Sequence, residues 1–144
     1  MKNQRVFASA IFYFCFTLTL LIPVTGSADQ EKMTAAEMRA LIPSNTLSGG
    51  SVHVYHDPSG AMEGMRRGQG MHFDSGTWTI TDAGQYCRQW SRWGNKALDC
   101  FHIYRLDNNK LLLQSADDPY YSMVKFREGN PECIRVHPSV SSSS

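Results

Sequence analysis

Beyond residue 50 the chain alternates apolar and polar residues in short runs broken by turn signals, a pattern that predicts strands. Val52-His53-Val54-Tyr55-His56 is strand-forming, and Asp57-Pro58-Ser59-Gly60 after it carries the residue types of a tight turn. Ala61 to Met65 predicts the return strand, while Arg66 to Asp74, with Gly68 and Gly70, predicts a flexible loop leading into His72-Phe73. Asp107-Asn108-Asn109 marks a hairpin turn, Lys110 to Ser115 a strand, and Asp117-Asp118-Pro119 a break. Tyr120 to Arg127 then alternates, with Tyr120, Val124 and Phe126 on one face, until Glu128-Gly129-Asn130-Pro131 ends regular structure. Upstream, Thr34-Ala35-Ala36-Glu37 fits a capping box and predicts a short helix over 34–42. Met38, Leu41 and Ile42 form its packing stripe, suited to covering an open edge or end of the sheet. Asn45 to Gly50 reads as a loop. The fold class expected is mainly β, a small antiparallel meander forming a partly closed barrel or sandwich with one short N-terminal helix.

The stretch Gly76 to Arg105 is the most informative, since it holds all three tryptophans and two cysteines. A hairpin folded about Trp93-Gly94 places Cys87 opposite Cys100, Arg88 opposite Asp99 and Tyr86 opposite Phe101. Directly opposed residues lie within disulfide range, so one register yields a disulfide, a charge pair and an aromatic pair. Closing that loop stabilises the fold by roughly 3 kcal/mol in the chain-entropy account. A preceding three-residue turn with Gly84 left-handed pairs Ile80 with Tyr86. Trp78, Ile80, Tyr86, Trp90, Phe101 and Ile103 then share one face, the expected core. Thr77, Thr79, Gln85, Gln89 and His102 share the wetter face with the disulfide; a one-residue slip would exchange the two sets. Arg88 and Asp99 are a charge pair among aromatics. They fit a half-solvated sheet rim, the simpler placement, or the polar floor of a cavity.

The N-terminus carries the three-part pattern of a secretory signal: Lys2 and Arg5, an apolar run from Val6 to Val24, and small residues Gly26-Ser27-Ala28. Cleavage after Ala28 is expected; an uncleaved anchor is the other reading, because the run is about long enough to span a bilayer. A single β-rich domain then covers 29–136, and the serine-rich 137–144 is an expected disordered tail. The signal removes both of its basic residues, leaving 12 basic against 13 acidic. With no basic patch, nucleic acid is not the expected partner. Export to a periplasmic or extracellular location puts Cys87, Cys100 and Cys133 in an oxidising compartment, where a disulfide is the default. One cysteine is left over, so a monomer or a Cys133-linked dimer is expected.

Gly76-Thr77-Trp78, then Gly84-Gln85-Tyr86-Cys87-Arg88-Gln89-Trp90, then Cys100 and an aromatic-rich strand, resemble the bacterial domain-of-unknown-function family numbered 995. Thr34 to Leu41 and Asn45-Thr46-Leu47-Ser48-Gly49 are similar to its opening, so the resemblance covers roughly Thr34 to Pro131. It implies an exported envelope protein with a compact β fold and supplies no catalytic residues. Gly76-Thr77-Trp78 also resembles, more weakly, the Gly-x-Trp motif of lipocalin-type barrels, although it stands further into the chain than in that family.

Candidate chemistry is sparse. His53 and His56 point to opposite faces of a strand and cannot hold one metal there. Met62, Met65 and Met71 with His72 offer soft ligands suited to cuprous copper, but adaptable packing is the simpler role. No Gly-x-Ser-x-Gly elbow is present, Gly49-Gly50 leads into a strand rather than a phosphate-binding helix, and Asp117-Asp118 precedes a proline as a solvated turn would. The expectation is a non-enzymatic binding module without cofactor or metal, taking a small ligand or an envelope protein. Arg88, Asp99 and Trp93 are its candidate contacts. Trp93 either presents itself at the hairpin tip, as binding hot spots do, or folds back onto the domain. A structural envelope protein acting through Cys133 or a non-covalent contact is the alternative.

Overall fold

The computed structural model describes residues 30–135; the expected signal peptide and serine-rich tail lie outside them. Thr34 caps the helix α1 (Ala35–Leu41): its hydroxyl accepts from Glu37 N–H while the Glu37 carboxylate accepts from Thr34 N–H at 2.8 Å, the reciprocal capping box. Before it, β1 (Glu31–Lys32) is a two-residue strand. Eight longer strands follow: β2 (Thr46–Gly49), β3 (Val52–His56), β4 (Ala61–Gly68), β5 (Gly70–Ile80), β6 (Tyr86–Trp90), β7 (Leu98–Arg105), β8 (Lys110–Ser115) and β9 (Tyr121–Arg127). Each of β2–β9 pairs antiparallel with the next, and β9 pairs back onto β2, so the sheet closes as an eight-stranded up-and-down barrel. The short β1 lies beside the end of β7, with Glu31 opposite Arg105 and Lys32 opposite Tyr104.

The barrel is closed rather than partly open, because two segments expected as loops are strands. Thr46–Gly49 pairs on both sides, Leu47 opposite Val54 of β3 and opposite Phe126 of β9. Arg66 to Asp74 forms the far end of a long β4–β5 hairpin, turning at Gly68–Gly70 with Gly70 at φ +107°. Polar residues there belong to strands that run beyond the neighbouring ones, so neither face needs the apolar alternation by which a strand is recognised.

The meander has the register expected of it. Cys87 faces Cys100, Arg88 faces Asp99, Tyr86 faces Phe101 and Ile80 faces Tyr86, while Gly84 takes φ +74° in the turn. Cys87 and Cys100 form the disulfide on the outward face. The inward face carries Ile80, Tyr86, Trp90, Phe101 and Ile103, all buried. At one end α1 inserts Met38 and Ile42, both essentially without solvent exposure, among Leu47, Ile80, Tyr86, Ile103 and Leu111. Arg39 fastens the helix to the β5–β6 turn through the Ile80 carbonyl at 3.2 Å and the Asp82 carboxylate at 2.7 Å.

After β9 the chain crosses the outside of β3 and β4 as a strap. Its Glu132 carboxylate accepts from Arg127 at 2.6 Å and Arg67 at 2.5 Å and lies 3.8 Å from His53. Replacing Cys87 and Cys100 together by alanine should lower unfolding free energy by roughly 3 kcal/mol while leaving the far-ultraviolet circular dichroism of the barrel in place. Denaturant titration of the double variant checks this; an unchanged midpoint would show that the bond adds nothing to the fold.

Candidate functional site

Inward alternation delivers the side chains of the site. β3 contributes Val52, Val54 and His56, β6 Tyr86, Arg88 and Trp90, and β9 Ser122 and Val124; with Leu47, Leu113 and Tyr120 most of these enclose a cavity of about 210 Å³ in the lumen. Beyond it, toward the end opposite α1, Val52, Arg66, Arg88, Trp90, Trp93 and Asp99 line a second hollow of about 270 Å³. Val52 and Arg88 belong to both, so the second is the mouth of the first.

The floor of the lumen is a polar pair under apolar walls. His56 Nδ1 stands 3.3 Å from the Asn45 carbonyl and Nε2 2.8 Å from the Tyr86 hydroxyl. Only an acceptor is available at Asn45, so the ring carries its proton on Nδ1 and accepts the Tyr86 proton at Nε2. Burial pushes the His56 pKa down to about 4, with the Arg88 charge acting in the same direction, and the Asn45 carbonyl opposes both. Burial raises the Tyr86 hydroxyl to about 12 against the opposing pull of Arg88. Both groups are therefore neutral around pH 7. Trp78 and Tyr86 each meet the imidazole edge-on, with centroids 5.5 Å away.

Arg88 stands above this pair. Its side chain is 25% exposed, and its guanidinium lies 4.9 Å from the Phe101 ring centre and 5.9 Å from that of Trp90. Asp99 is its cross-strand neighbour, but Nε to Oδ2 is 4.0 Å, too long for a hydrogen bond. Among the described residues, Arg88 Nε is buried and meets no acceptor. Arg88 thus lines both the lumen and its mouth, and the partly solvated Asp99 lines the mouth. Trp93 folds back: it packs on Trp90 at 4.8 Å between ring centres, under the Arg66 guanidinium at 5.0 Å. The fold brings Arg88, Asp99 and Trp93 together around one opening, on the turn Trp93–Lys96 and the strands either side of it.

Two residues not singled out in the sequence let Trp93 pack in this way. Gly64 faces Trp90 and Trp93, and a methyl group there would stand 2.5 Å from one ring and 2.6 Å from the other. A glycine inside a strand is the sequence sign of such an approach. Asp74, almost fully buried, accepts from the backbone N–H of Arg92 at 2.9 Å and of Trp93 at 2.7 Å, and from Arg92 Nε at 3.3 Å. Burial alone would raise its carboxyl, yet these bonds outweigh it and hold the group below the usual carboxylate range. His56 and Tyr86 were also missed as a pair, since only closure of the barrel makes them neighbours. The methionines are dispersed: Met62 packs inside against Trp90, whereas Met65 and exposed Met71 lie on the outer face. Cys133 is a free, exposed thiol on the strap.

The chain matches no protein-family profile, no curated protein and no solved structure.

His56 makes stability depend on pH in a defined window. Its folded pKa lies below its unfolded one, so the unfolded chain binds the extra proton between about pH 6.5 and about pH 4. Stability contributed above that window is lost as pH falls through it, by roughly 3 kcal/mol in total. Urea midpoints measured from pH 7 to pH 4 should fall for the natural sequence and fall less for His56→Gln; equal slopes would refute the assignment.

Proposed function

We propose that the protein is an exported, non-enzymatic binding module that holds a small ligand in the lumen of its barrel. The observation that carries this reading is the cavity of about 210 Å³ with Arg88 in its wall and Trp90 and Trp93 lining its mouth. Binding cavities combine apolar walls with a few convergent polar groups, and eight-stranded barrels are wide enough to hold one small molecule. His56 and Tyr86 are engaged with each other and with Asn45, whereas Arg88 keeps a buried donor, Nε, without an acceptor and so offers a bond to a guest. Export is supported by the signal-like N-terminus and by the Cys87–Cys100 disulfide, a bond that persists in oxidising compartments. The resemblance to the envelope family supports the same location.

Val52 borders both hollows and is the place to block them. A thermal-shift screen of small organic molecules should give compounds that raise the melting temperature of the natural sequence. The same compounds should lose that effect in Val52→Trp. If every stabilising compound acts equally on both proteins, the lumen is not the binding site.

A second reading has its own observation. Exposed Cys133 borders an outer groove of about 340 Å³ with Met65, Met71 and Phe73, the last two exposed. An envelope protein or a second copy could join there through a disulfide. Non-reducing electrophoresis after expression in an oxidising compartment should then show a dimer or mixed species that Cys133→Ser abolishes; a monomer with a titratable thiol counts against it.

A further inference from the structure

We infer that the lumen ligand is a small organic anion, a compact aromatic or branched carboxylate about the size of benzoate, seated with its carboxylate on Arg88. This rests on the lumen being the binding site and adds the chemical class.

Charge is the first argument. The inner cavity has one charged wall residue, Arg88, and the mouth adds Arg66 and Asp99. The other inward carboxylate, Asp74, is already held by Arg92 and by backbone N–H groups of Arg92, Trp93 and Ser75. His56 is neutral in the range where the protein would work. Two guanidiniums therefore face one carboxylate, and the lumen and its mouth carry a surplus positive charge. An anion neutralises it, a cation adds to it, and a neutral guest leaves it as it was.

Hydrogen bonding is the second. A guanidinium presents five donors in a planar fork matched to a carboxylate. Arg88 rests on Phe101 and Trp90 and also acts on the Tyr86 hydroxyl through charge and a side-chain hydrogen bond, but its buried Nε has no acceptor within the protein. Asp99 at 4.0 Å is close enough to favour the charge and too far to satisfy the donor. Ser122, on β9 across the cavity from β6, supplies a hydroxyl to the same lining, whereas the Tyr86 proton is committed to His56.

Size and polarity of the rest set the remainder of the guest. Leu47, Val52, Val54, Leu113 and Val124 form the surrounding wall. A dry cavity of about 150 Å³ accepts benzene, so one of about 210 Å³ takes a ring and a carboxylate but not a long acyl chain.

The test uses the folded chain and three probes of one shape: benzoate, neutral benzamide and cationic benzylammonium, titrated by calorimetry and by tryptophan fluorescence. Benzoate should bind about tenfold or more tightly than benzamide, and benzylammonium weakest. Arg88→Met, which keeps the bulk and removes the charge, should weaken benzoate by about tenfold to a hundredfold and leave benzamide nearly unchanged. Asp99→Asn should tighten benzoate by removing the competing carboxylate, and this holds as a test if Arg88→Met fails to fold. Benzamide binding as tightly as benzoate, or Asp99→Asn leaving benzoate unchanged, overturns the anion class while compounds lost in Val52→Trp would still uphold a lumen site. No binding of any probe overturns the size and class together.

Discussion

Everything in the structure depends on the pairing of β2 with β9. Among the described residues it is the seam that joins the end of the strand sequence to its beginning, and without it the eight strands would form an open sheet with two unpaired edges and no inside. Three cross-strand pairs make it, Thr46 with Arg127, Leu47 with Phe126 and Ser48 with Lys125. Polar bonds reinforce it at the end nearer α1. Thr46 Oγ donates to the Gly129 carbonyl at 2.7 Å, and Gly129 N–H donates to Asn45 Oδ1 at 2.8 Å. Asn45 also donates to the Leu41 and Pro43 carbonyls, so one side chain ties the helix end, the start of β2 and the end of β9 together.

Closure turns alternation along each strand into a division between lumen and outside. The α1 end is filled: Met38 and Ile42 join the aromatic and aliphatic residues of the meander in a dry cluster. The other end is not filled to the same degree, because Arg88 and Asp99 occupy positions where apolar side chains would complete the packing. A buried or half-buried charge costs stability unless it is paired and hydrogen-bonded, and here the pairing is long and one donor is unmet. The protein keeps a polar, imperfectly satisfied group where the lumen meets its mouth.

Much of this was legible in the sequence. The capping box at Thr34 and Glu37, the register of the meander, the disulfide and the aromatic face all follow from local rules, and the structure has each of them. What was not legible depends on contacts between distant parts of the chain. Thr46-Leu47-Ser48-Gly49 is too short and too polar to announce a strand; it is one because β3 and β9 flank it. Arg66 to Asp74 looks like a loop because its polar residues lie on a hairpin that outruns its neighbours. Arg88 and Asp99 face each other as expected and are partly solvated; that Arg88 also reaches the lumen is a consequence of closure. Trp93 at a hairpin tip could have pointed either way, and the deciding partners, Gly64 and Asp74, lie far from it in sequence.

The Cys87–Cys100 bond bridges the two strands either side of the loop that holds Trp93. Strands β6 and β7 are joined there twice over, by the bonded sulfurs and by the backbone pairing of Tyr86 with Phe101 and Gln89 with Leu98. Within the loop, Ser91 N–H donates to the Ser75 carbonyl, and Asp74 accepts from the N–H groups of Arg92 and Trp93. One side of the mouth is therefore braced from two directions, by a covalent bond between its strands and by a buried carboxylate beneath its tryptophan.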